Sequence, residues 1–81
     1  MPYITTERRM TIDNIVCLAR TPGELNYLIT RLCTEYIAGN GESYQTYNDV
    51  IGALECAKQE YYRRMVIPYE EKKKQINGDV F

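Results

Sequence analysis

Residues 21–41 read Thr-Pro-Gly-Glu-Leu-Asn-Tyr-Leu-Ile-Thr-Arg-Leu-Cys-Thr-Glu-Tyr-Ile-Ala-Gly-Asn-Gly, and this stretch decides the fold class. Thr21-Pro-Gly-Glu24 is a capping box with proline at the first helical position, where its missing N–H costs nothing. The Thr21 hydroxyl is placed to accept from the Glu24 N–H, and the Glu24 carboxylate to reach back to the Thr21 N–H. Leu25, Leu28, Ile29, Leu32, Cys33, Tyr36 and Ile37 then recur at three- and four-residue steps, forming one apolar stripe. Gly39-Asn-Gly41 ends it with residues that tolerate the left-handed conformation of a helix C-cap. The pattern predicts a helix over 22–38.

Working outward, the segment 6–19 carries a looser helical period through Met10, Ile12, Ile15, Val16 and Ala19. Thr5 or Thr6 suits its N-cap, with Glu7 near the positive pole of the helix dipole. A start at Thr11 would shorten it. Downstream, the period predicts a third helix over 46–76, capped by Thr46 or, one turn earlier, by Ser43. Val50, Leu54, Ala57 and Tyr61 share one face, widened by Ile51, Tyr62 and Met65. Glu60 precedes Arg64 by four residues, the favourable order for an ion pair. Pro68 lacks a donor and clashes with the carbonyl four residues back, which predicts a kink or break at residues 64–68. Asn77-Gly78 stops the helix and leaves a tail over 77–81.

The expected fold is therefore all-α: a single domain of three helices with a long, Pro-kinked third helix. That helix would span roughly 45 Å at 1.5 Å per residue, about twice the length of either of the others. Its C-terminal half would have no partner within the chain, yet carries Tyr61, Tyr62, Met65, Val66, Ile67 and Tyr69. Either the tail folds back at Pro68 to cover it, or a homo-oligomer or another protein does.

Composition narrows the function. Hydrophobic residues are 44% and charged residues 26% of the 81, the range of a folded domain. Net charge is −1, so the basic excess of a general nucleic-acid surface is missing. No apolar run approaches the ~20 residues of a membrane span, and no signal peptide opens the chain. The three cysteines, Cys17, Cys33 and Cys56, read as reduced and mostly buried thiols of a cytoplasmic protein. With no histidine and no Cys-x-x-Cys, neither a metal site nor a general base is expected. No nucleophile motif and no phosphate-cradling glycine pattern occurs, so we expect no enzyme and no cofactor.

Eight tyrosines beside a single phenylalanine and no tryptophan point instead to binding. Tyr27, Tyr36 and Tyr61 can edge a core. Tyr61-Tyr-Arg-Arg64 is different, because two adjacent aromatics cannot both face one helical core. Arg63 and Arg64 suit bidentate contacts to carboxylate or phosphate, or else form a solvated face paired with Glu60. Lys58 either lays its stem over the apolar stripe or points at an anionic ligand. The run Lys72-Lys-Lys74 reads as a solvated helix end. Tyr61, Tyr62, Arg63, Arg64, Tyr69 and Lys58 are the candidate binding residues.

Several blocks also carry a resemblance: Met1-Pro-Tyr-Ile4, Gly23-Glu-Leu-Asn-Tyr27, Asn48-Asp-Val-Ile-Gly-Ala-Leu-Glu-Cys-Ala57, Glu60-Tyr-Tyr-Arg-Arg64, Pro68-Tyr-Glu70 and Asn77-Gly-Asp-Val80. Across nearly the whole chain, these resemble a small family of uncharacterised proteins from tailed bacteriophages and prophages. The segment Thr11–Cys17 is less acidic than that pattern, and Phe81 stands where it has tyrosine. The resemblance implies no activity or site residues, only context: a phage accessory protein in the bacterial cytoplasm. The expected function is binding of a host factor as modulator or inhibitor, by a self-associating protein. The alternative is an oligomeric sponge for a nucleotide second messenger of host anti-phage defence, with tyrosines stacking and Arg or Lys on phosphates.

Overall fold

A computed structural model describes residues 4–81; the first three residues of the block Met1-Pro-Tyr-Ile4 lie outside the described residues. Helix α1 covers Thr6–Asp13 and α2 covers Pro22–Asn40. Helix α3, Tyr44–Tyr61, passes through a π turn at Tyr62–Val66 into α4, Ile67–Asn77. No strand occurs among the described residues. The chain divides into two units, one ending at Leu32 and the other running from Cys33 to Phe81.

In the first unit, Thr5 caps α1, its hydroxyl accepting from the Arg8 N–H at 3.2 Å. The helix stops at Asp13, not at residue 19 as the periodicity predicts, and the start at Thr11 is also excluded. Electrostatics and local chemistry explain the early stop. The last turn has no basic residue and places Asp13 at the negative pole of the dipole. Asn14 then favours a turn over continued helix, and the Ile15 and Val16 N–H groups both bond to the Ile12 carbonyl. Ile15 and Val16 are left outside the helix and exposed. The box at Thr21 forms with one change. Glu24 N–H donates to Thr21 Oγ1 at 3.1 Å, but the Glu24 carboxylate accepts from the Arg20 N–H at 3.0 Å, one residue earlier than expected.

In the second unit, α2 runs two residues past its predicted end, and Gly41 supplies the left-handed stop at φ 87°. Ser43, the earlier of the two caps considered, starts α3. Its hydroxyl accepts from the Thr46 N–H at 3.1 Å, and Thr46 Oγ1 accepts from the Ser43 N–H at 3.0 Å. The Tyr36 hydroxyl donates to Asp49 at 3.4 Å, linking the end of α2 to the first turns of α3.

The helix does not break at Pro68. It continues to Asn77, a run of 34 residues, and Gly78 stops it at φ 88°. The π turn explains how proline is accommodated. The Ile67 N–H reaches back five residues to the Tyr62 carbonyl, and the backbone stays helical at both ends of the turn. Widening the turn just before Pro68 gives its ring room without interrupting the helix.

The largest departure concerns burial. No side chain among the described residues is buried. The expected core-edging tyrosines are open, with Tyr27 at 67%, Tyr36 at 42% and Tyr61 at 65% exposure. Cys17 and Cys56 are exposed and Cys33 is half-buried, so the thiols are not the mostly buried set expected. Among the described residues, the N-terminal half of the long helix is thus as short of cover as the C-terminal half.

Candidate functional site

The candidate residues gather on and around the π turn, and Glu60 organises them. Arg63 donates to one of its carboxylate oxygens and Arg64, through Nε, to the other. Partial burial pushes the Glu60 carboxyl up. The hydrogen bond from Arg64 and the charges of Arg63 and Arg64 outweigh this and hold it below its usual value. The Glu60–Arg64 pair foreseen from spacing therefore forms, and Arg63 joins it. Two guanidinium groups and one carboxylate leave a net positive charge at this point, each arginine bound to Glu60 through one nitrogen.

Tyr62 donates to Glu70 Oε1 at 2.8 Å, a contact between residues eight apart. In an unbroken α-helix the eighth residue lies about 80° around the axis, whereas the extra residue of the π turn brings it onto the same side. The hydrogen bond to Glu70 and the charge of that carboxylate raise the Tyr62 phenol above its ordinary value. Tyr62 and Glu70 thus span the π turn.

Tyr61 and Tyr69 are exposed, and the Lys73 ammonium lies 5.6 Å from the Tyr69 ring centre, a cation–π contact. Lys58 stands apart. Its side chain is 74% exposed and leans toward Glu55 at 3.9 Å rather than lying over an apolar stripe. At the helix end, Lys74 pairs with Asp79 at 3.2 Å. The Phe81 N–H, ahead of the Lys74 contact, holds the Asp79 carboxyl below its usual value.

Sequence reasoning missed Glu70 as the partner of Tyr62, because that contact depends on the π turn. Pro68 was the available signal, but it reads equally as a kink. No group of three or more His, Cys, Asp or Glu among the described residues is arranged to hold a metal ion. No helix among them is long and apolar enough to cross a membrane.

Nothing among curated proteins, and nothing among solved structures, matches this chain. A family match does exist: residues 1–80 fit the domain of unknown function DUF6899, and the chain belongs to that family.

Proposed function

We propose that this is a non-enzymatic accessory protein of phage type that self-associates and binds a bacterial host protein as modulator or inhibitor. One observation carries the reading. A chain that is 44% hydrophobic buries none of its described side chains, so its apolar stripes are available to other chains. Large exposed apolar surface costs about 25 cal/mol per Å² left in water, which favours association. Tyr61, Tyr62, Arg63, Arg64 and Tyr69 supply the contact surface. They offer flat aromatic area beside a net positive cluster, the combination found at interface hot spots. The host target is placed in the bacterial cytoplasm by the phage resemblance alone.

Affinity capture from bacterial lysate tests the reading, with the double variant Tyr62→Ala/Arg63→Ala as the control. A defined host protein retained by the wild type and lost by the variant is the expected result. Equal capture by both would refute this surface. A panel of cyclic and linear nucleotides should leave the melting temperature unchanged; a rise that grows with ligand excess would favour the sponge instead.

A further inference from the structure

The long helix carries a second feature, which shares Tyr61 and Tyr69 with the candidate binding residues. Tyr47, Leu54 and Tyr61 recur every seven residues, and the series then continues at Tyr69 and Ile76. Eight residues, not seven, separate Tyr61 from Tyr69. That one-residue slip falls across the π turn, which takes in one residue more than an α turn. The Tyr62–Glu70 hydrogen bond measures the same realignment one residue along. All five side chains therefore stand on one face, and all are exposed. Val50 lies between Tyr47 and Leu54 at steps of three and four, and Met65 between Tyr61 and Tyr69 at two steps of four, across the π turn. Without the extra residue, Tyr69 and Ile76 would rotate away from Tyr47, Leu54 and Tyr61.

Charge distribution identifies the occupant. Residues 42–57 hold three acidic and no basic side chains, whereas residues 58–77 hold six basic and three acidic. A second copy running antiparallel sets each acidic half against a basic half. A parallel copy sets like against like along the whole seam. We propose that the face from Tyr47 to Ile76 is the seam of an antiparallel homodimer, with the π turn keeping its two halves in phase. Full overlap puts Tyr47 of each copy against Ile76 of the other and brings the two Tyr61 rings close to the two-fold axis. A standard stable interface buries about 800 Å² per copy, the area the seam has to supply. The proposal rests on the self-association reading and adds its face, direction and register. Of the proposed contact surface, this assigns Tyr61 and Tyr69 to self-association and leaves Tyr62, Arg63 and Arg64 to the host protein.

Sedimentation equilibrium of the wild-type chain and site-directed cross-linking test it together. In a Cys17→Ser/Cys33→Ser/Cys56→Ser background, Tyr47→Cys and Ile76→Cys are made as separate proteins, each checked for retained helix by circular dichroism. They are then treated with a short bismaleimide alone and as a mixture. The expected result is a wild-type dimer, and cross-linked dimer in the mixture at least about tenfold above either protein alone. Efficient coupling of Tyr47→Cys to itself would mean parallel pairing and overturn the proposal. A wild-type dimer without any 47-to-76 link would overturn it while leaving self-association intact. A wild-type monomer at tens of micromolar would overturn both, and would leave the stripe to a host helix.

Discussion

At the residue scale, Glu60 and Ser43 do the most with the least. Glu60 holds two arginines, and its carboxyl is lowered below the ordinary value of 4.5. A carboxyl lowered by folding stabilises the fold above its unfolded value, and that stabilisation is lost as pH falls through the lowered value. Helix content near the π turn should therefore drop on acidification below about pH 4. Circular dichroism should show Glu60→Gln losing this acid step. Tyr62 and Tyr47 behave oppositely. Hydrogen bonds to Glu70 and Glu42 raise both phenols above 10.0, so these bonds persist at ordinary pH and fail only as alkali passes the raised values. Ultraviolet titration should show Tyr47 and Tyr62 ionising late, and Tyr62→Phe should remove one of these late steps. Ser43 closes a reciprocal cap with Thr46, so Ser43→Ala should cost about 1 kcal/mol of helix stability in thermal melts.

At the element scale, the long helix shows how a proline can be absorbed rather than obeyed. Proline in a helix interior removes one donor and crowds the carbonyl four residues back. Here the turn before Pro68 widens, the Ile67 N–H bonds five residues back, and the helix runs on. Pro68→Ala restores a donor and removes the reason for the wide turn. We expect the variant to gain helical signal and stability, since proline is about 3 kcal/mol poorer than alanine in a helix interior. It should also turn Tyr69 and Ile76 away from Tyr61 and weaken the proposed dimer by about tenfold or more. A sedimentation experiment showing a stabler helix and an unchanged dimer would separate the π turn from assembly. Helix α1 illustrates the reverse case. Its apolar spacing extends beyond Asp13, but an acidic C-terminal end and Asn14 stop the helix there.

On the scale of the whole molecule, stability should depend on concentration. No side chain among the described residues is buried, and the proposed self-association would supply the burial that one chain lacks. We expect Tm to rise by several degrees for each tenfold increase in protein concentration, measured by calorimetry. A Tm independent of concentration over two decades would mean that one chain suffices.

Local chemistry was legible in the sequence. The all-α class, the caps at Thr5 and Thr21, the glycine stops at Gly41 and Gly78, and the Glu60–Arg64 pair all follow from neighbours within four or five residues. Such signals act through short-range hydrogen bonds, dipoles and φ/ψ preferences, so they survive without any knowledge of the rest of the chain. Other features lay beyond them. Apolar periodicity shows which face a helix would bury, not whether anything in the same chain covers it. The exposure of Cys17, Cys56, Tyr27 and Tyr61 was hidden for that reason. Likewise, Pro68 announces a disturbed helix, but whether it kinks, breaks or widens depends on how the preceding turn relaxes. Only the three-dimensional structure decided that, and with it the alignment of Tyr62 with Glu70 and of Tyr61 with Tyr69.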